Sequence, residues 1–341
     1  MGRSTDRPGG PDPGTDDTRA ERVLAGLGLS PDDELVELVE LGFVAAASAR
    51  LHGSPELLAD FLDFARDRLR VLGARTLDDD QLAGFARMLA ADGNGEVPPP
   101  VADLVDRALV RLPARPLTGD PPLGPLAATY LEHVLAGDRR GAIAVVVDCA
   151  RGGMPVSVLL TDVLEAAQRE IGRRWQEGHV TIAQEHFCTA VTQLALAALH
   201  PYLFERHAAG RARRRLVAVQ AGDGMHQVGL RMVVDLLEHD GWDTTYLGAQ
   251  DDPGRVVEVL ADQRATVLAV SASMPADVTF AEALVRAVRA DPRTSRVHVI
   301  VGGRAFLVAP ALAEQVGADG LAHDAREAVA LCAGYTDDVA V

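Results

Sequence analysis

Leu216-Val-Ala-Val-Gln-Ala-Gly-Asp-Gly-Met-His226-Gln-Val-Gly229 carries the decisive pattern. A strand pattern, Leu216 to Gln220, apolar through Val219, gives way to a glycine-rich loop, and a helical pattern follows from Gln227 to His239. A strand that is apolar without alternation suits a parallel sheet covered on both faces. The same unit recurs downstream. Strands are expected at 244–247, 267–273, 297–301 and 320–323, with helices at 254–264, 280–290, 309–316 and 325–332. Five strand–helix units predict a right-handed, doubly wound, five-stranded parallel sheet of Rossmann-like type over residues 214–335. Ligands of such sheets sit in the crevice at the carboxyl ends of the strands.

Upstream the pattern is helical. Residues 125–209 read as a four-helix bundle, with helices near 126–136, 138–151, 155–176 and 182–205 joined by short loops. Leu112 to Pro125 holds five prolines and reads as a linker, centred on 114–124. Residues 21–113 read as an N-terminal helical domain. Ser30-Pro31-Asp32 and Ser54-Pro55-Glu56 look like helix starts, with Ser as N-cap and Pro at the first helical position. The polar stretch 1–20, rich in Pro, Gly and Asp, reads as a disordered tail. The fold class is therefore α/β plus all-α.

Composition narrows the function. The net charge of −16 repels phosphate backbones, and no basic recognition helix is visible, so direct DNA binding is not expected. No apolar run approaches the roughly 20 residues that span a bilayer. Three scattered cysteines, Cys149, Cys188 and Cys332, suit a reduced, cytoplasmic setting and no zinc site. Arg211 to Arg215 reads as a solvated linker, and Glu132-His133 and Glu238-His239 read as surface dipeptides.

The loop at 221–229 places His226 at the ligand-binding edge, with Met225 before it and Asp223 as the nearest carboxylate to fix its tautomer. Imidazole is a good ligand for cobalt-type metals. Taken alone, this loop fits an ordinary flavodoxin-like domain equally well. Two other strand ends add to it: Ser271-Ala272-Ser273 and Gly302-Gly303 offer small and hydroxyl side chains that leave a slot. In the bundle, Thr181-Ile-Ala-Gln184 is a capping box. It puts Glu185 and His186 in the first turn of one helix, across a short connection from Trp175 in the last turn of the preceding one.

Residues 214–335 resemble the cobalamin-binding domain shared by methionine synthases, corrinoid proteins, mutases and light-sensing regulators. That family has an acid-x-His-x-x-Gly motif, then a Ser-x-Leu or Ser-x-Thr, then Gly-Gly. His226 and Gly229, Ser271, and Gly302 with Gly303 match in order. Gly224 stands at the acid position, one residue after Asp223, and Ser273 replaces the Leu or Thr. The resemblance implies that His226 is the lower-face cobalt ligand and that a nucleotide tail lies beside Ser271 and Gly302.

The spacing from Trp175 over nine residues to Glu185-His186 resembles adenosylcobalamin-dependent light sensors of the CarH type, here without their helix-turn-helix domain. It implies that Trp175, Glu185 and His186 cover the adenosyl face. It also implies a non-enzymatic photoreceptor and transcriptional regulator, whose bundle shifts when light breaks the cobalt–carbon bond. Output would pass through a protein partner or a homo-oligomer. The alternative is a corrinoid protein that shuttles methyl groups for a methyltransferase system.

Overall fold

A computed structural model describes residues 13–73, 76–112, 123–203, 214–222 and 226–335. The chain forms two compact units, residues 1–114 and 115–341. The first contains helices α1 (Pro13–Gly26), α2 (Asp33–His52), α3 (Pro55–Val71), α4 (Asp79–Ala90) and α5 (Pro99–Val110). Leu24, Leu57, Leu58, Leu62 and Phe85 are fully buried among them. The expected tail ends early: residues 13–20 are the first half of α1, and Ala20 is buried. The rest of that stretch, residues 1–12, lies outside the described residues, as does most of the expected linker. The cap of α2 also moves from Ser30 to Asp32, whose carboxylate accepts from the Leu35 amide at 2.8 Å.

The second unit begins with α6 (Pro125–Leu135) and α7 (Arg139–Arg151). The long third helix of the bundle consists of α8 (Val156–Val158), a π-helical segment (Leu159–Glu165) and α9 (Ala166–Gln176). The bundle closes with α10 (Ile182–Leu203). Tyr130 and Thr192 meet at its centre, both fully buried, with their hydroxyls 3.0 Å apart. Each hydroxyl thereby satisfies the other where water cannot reach.

The sheet domain runs β1 (Arg215–Ala221), α11 (Val228–His239), β2 (Asp243–Gln250), α12 (Pro253–Gln263), β3 (Val267–Ser271), α13 (Asp277–Ala290) and β4 (His298–Gly302). It ends with α14 (Arg304–Val308), α15 (Ala311–Gln315), β5 (Gly320–Leu321) and α16 (Ala325–Gly334). The helix expected at 309–316 is thus two short helices that break at Ala309 and Pro310. All pairings are parallel, in the order β2-β1-β3-β4-β5. This is a doubly wound, Rossmann-like sheet whose winding reverses between β1 and β3, where a crevice opens at the carboxyl ends. Leu216, Ala218, Val267, Ala269 and Ile300 pack against α11 and α16, while α12 and α13 pack against the sheet as well.

Bundle and sheet domain share one core. Val228, Met232 and Leu236 of α11 and Ala325 of α16 belong to the same buried cluster as Leu159, Ile171, Val191 and Leu199. Arg215, expected in a solvated linker, begins β1 and donates to the Gln263 carbonyl at 2.8 Å; Arg211 to Arg213 lie outside the described residues.

Candidate functional site

The site grows from the carboxyl edge of the sheet. Gln220, Ser271 and Gly302 are register partners across β1, β3 and β4 and form one row. The row shares the face of Leu216 and Ala218, since alternate residues of a strand point the same way. Sequence reading identified Ser271 and Gly302 but missed Gln220. Its side chain is fully buried, and its Oε1 has no hydrogen-bond partner among the described residues. A buried amide oxygen without a partner costs about 1–3 kcal/mol unless something donates to it. It marks a polar position next to the switch point.

The loop after β3 is closed by Asp277, which sequence reading also missed. Its carboxylate accepts from the amides of Ser273 and Met274, both at 2.9 Å. Ser273 therefore lies in this turn and not in β3, which ends at Ser271. Gly303 has φ +88°, and a β-carbon there would meet the Ala272 carbonyl oxygen at 2.4 Å. The second glycine thus lets the β4 loop close onto Ala272, and the backbone of Ala272 fills that space.

His226 is exposed and immediately precedes the first turn of α11. Its neighbour Gln227 is anchored to the sheet: the Tyr246 hydroxyl on β2 donates to Gln227 Oε1 at 2.9 Å. Burial raises the pKa of that phenol, which keeps it a donor. Gly229, one residue into α11, has open space where a side chain would stand. Asp223, Gly224 and Met225 lie outside the described residues.

In the bundle, the Thr181 capping box forms in both directions, with Gln184 N to Thr181 Oγ1 at 3.2 Å and Thr181 N to Gln184 Oε1 at 2.9 Å. The turn before it passes through Gly178 at φ +78°, with the His179 amide bonded back to Arg174 at 2.8 Å. Trp175, half-buried against the bundle core, and Glu185 with His186 therefore occupy the same end of the bundle. Glu185 is held in place. Thr189 donates to its Oε1 at 3.1 Å, and Gln168 Nε2 donates to Thr189 at 3.2 Å. His186 is more open, with Nε2 at 3.6 Å from Glu185.

Helices α10 and α11 meet at their carboxyl ends, where His239 Nδ1 lies 2.6 Å from the Leu203 carbonyl oxygen. Glu238-His239 is accordingly part of an interhelical contact and not a surface dipeptide. Val228 at the amino end of α11 belongs to the same buried core as Val180 and Cys188, which stand on either side of Glu185 and His186 in the chain.

These features fit a corrinoid. There is an exposed imidazole beside open space, a small-residue row with a buried, unpartnered amide oxygen, and a polar and aromatic cluster on the adjoining bundle end. Residues 214–332 match the family model described as B12 binding domain, and residues 126–200 match a second model with that description. The chain is 23% identical over 200 residues to the dimethylamine corrinoid protein of Methanosarcina barkeri, covering 59% of this chain and 92% of that protein. It is 29% identical over 200 residues to the HTH-type transcriptional repressor CarH of Myxococcus xanthus, covering 56% of this chain and only 63% of the repressor. The solved monomethylamine corrinoid protein of Methanosarcina barkeri shares the fold at a TM-score of 0.55 and 20% identity, over 61% of this chain and 96% of that one. Residues 126–200 and 214–332 are B12-binding domains, in a chain whose homologues include corrinoid proteins.

Proposed function

We propose that the chain is an adenosylcobalamin-dependent light sensor that regulates through a protein partner or a change of oligomer. His226 would supply the imidazole ligand to cobalt. Gln220, Ser271 and Gly302 receive the nucleotide tail, with Gly229 leaving room at the entrance and Ser273 and Gly303 shaping the loops around it. Trp175, Glu185 and His186 cover the upper face. When bound, adenosylcobalamin supplies a cobalt–carbon bond that visible light cleaves.

The observation that carries this reading is the fixing of Glu185 by Thr189 and Gln168, at the same bundle end as Trp175. An aromatic face beside an oriented carboxylate suits a nucleoside, which offers a base to stack and hydroxyls to bond. A methyl group needs neither. The shared core of bundle and sheet domain supplies the route for a signal, because a ligand seen differently by two arrangements shifts the balance between them.

The alternative, a carrier of methyl groups for a methyltransferase, is favoured by the near-complete coverage of the dimethylamine corrinoid protein. Absorption spectra decide between the two. The sensor reading expects tight binding of adenosylcobalamin in the dark and a changed spectrum after green light. Equal affinity for methylcobalamin, with transfer of its methyl group to a thiol acceptor by a methyltransferase, would establish the carrier instead.

A further inference from the structure

We propose that His200, Asp235 and Glu238 form a second metal site, for a divalent transition ion of the zinc type, which clasps the bundle to the sheet domain. The three side chains each offer a ligand atom, and these atoms lie within 4.8 Å of one another. His200 comes from α10, Asp235 and Glu238 from α11. One imidazole and two carboxylates are a ligand set that zinc accepts, with a position left for water.

The surroundings are arranged as around a metal centre. Each carboxylate has one oxygen held by a donor from outside the trio. Arg231 Nε donates to Asp235 Oδ1 at 3.0 Å, and the Thr244 hydroxyl donates to Glu238 Oε1 at 2.6 Å. The second oxygen of Glu238 then faces His200 Nε2 at 3.7 Å. Outer donors that fix ligand carboxylates in this way are typical of metal centres. Zinc bonds of about 2.0–2.2 Å put tetrahedral ligand atoms about 3.4 Å apart. The half-exposed His200 and Glu238 side chains have room for the adjustment, with relative exposures of 43% and 28%.

Charge provides the second argument. Asp235 is 1% exposed, and buried carboxylates are normally paired or bound to metal. With His200 neutral, as a metal ligand must be, Arg231 supplies one positive charge against two carboxylates. The carboxyl ends of α10 and α11 converge there and add about half a negative charge each. A divalent cation removes this excess. The cluster lies toward the far end of α11 from His226, with Asp235 and Glu238 about 14 and 18 Å further along the helix axis, so it is separate from the corrinoid site.

The test is a calorimetric titration of the chelator-treated, cobalamin-free full chain with zinc chloride, paired with thermal melts. The parent and His226→Ala proteins should each bind one zinc ion at this site and melt higher with zinc. His200→Ala and Glu238→Gln should weaken that binding by more than about 100-fold and abolish the zinc-dependent rise in Tm. Glu238→Gln keeps the side-chain shape, so a folded but zinc-blind variant is the supporting outcome. No binding by the parent, or binding that survives both substitutions, would mean that these residues are an ion-pair clasp only, and would overturn the proposal. Neither result bears on cobalamin.

Discussion

The Asp277 carboxylate occupies the space that a side chain at Gly222 would need: a β-carbon there would stand 2.7 Å from Asp277 Oδ1. Gly222 also has φ +73°. The loops after β1 and β3 are therefore interlocked at the switch point, and Gly222→Ala should destabilise the chain by about 1–3 kcal/mol from strain alone. Asp277→Ala should cost a similar amount, because the Ser273 and Met274 amides lose a charged acceptor. Urea denaturation measures both, and a Gly222→Ala protein as stable as the parent would contradict this interlock.

Cobalamin binding should depend on His226 and, separately, on Gln220. His226→Ala should give a spectrum without lower-face imidazole. Gln220→Leu should leave the spectrum intact but weaken affinity, since the buried amide oxygen has then no counterpart to offer the tail. The substitution removes an unsatisfied polar atom, so the cobalamin-free protein should become no less stable. An unchanged affinity in Gln220→Leu would take this residue out of the site.

Trp175→Ala should lower the dark preference for adenosylcobalamin over methylcobalamin. Thr189→Val should do so too, more mildly, by removing the hydroxyl that orients Glu185. One hydrogen bond of this kind is worth about 0.5–1.5 kcal/mol, which corresponds to a change in the affinity ratio of roughly two- to tenfold. Equilibrium titrations with the two cofactors measure it.

Thiol labelling should be selective. Burial pushes the Cys188 and Cys332 thiols up to about 12, so at pH 8 only about one molecule in ten thousand carries either thiolate. Cys149 is half-buried. Alkylation of the native chain followed by mass spectrometry should find Cys149 modified and the other two protected until denaturant is added.

The parallel sheet is legible in the sequence because strands covered on both faces must be apolar throughout, and Leu216 to Val219 or Val267 to Val270 can hardly be read otherwise. The turns that carry Gly222 and Gly303 announce themselves by composition. Gln220, Tyr246 and Asp277 do not. A Gln at the end of a strand, a Tyr in the next strand and an Asp near a helix start have no local signature. Their roles come from the neighbours that register and winding bring to them: Ser271 for Gln220, Gln227 for Tyr246, and Gly222 for Asp277. The Glu238-His239 dipeptide was opaque for the same reason, since its partners, His200 and Leu203, lie on another helix.

The π-helical segment Leu159–Glu165 acts as a rotational adjustment of the helix whose last turn carries Trp175. A wider turn accommodates an extra residue without breaking the helix, and each residue gained or lost turns everything beyond it by about 100° around the axis. Deleting one residue there would keep the backbone helical but turn Ala167 and Ile171 out of the core, together with the indole. The orientation of Trp175 relative to Glu185 is therefore set within a segment that ends ten residues before the ring itself.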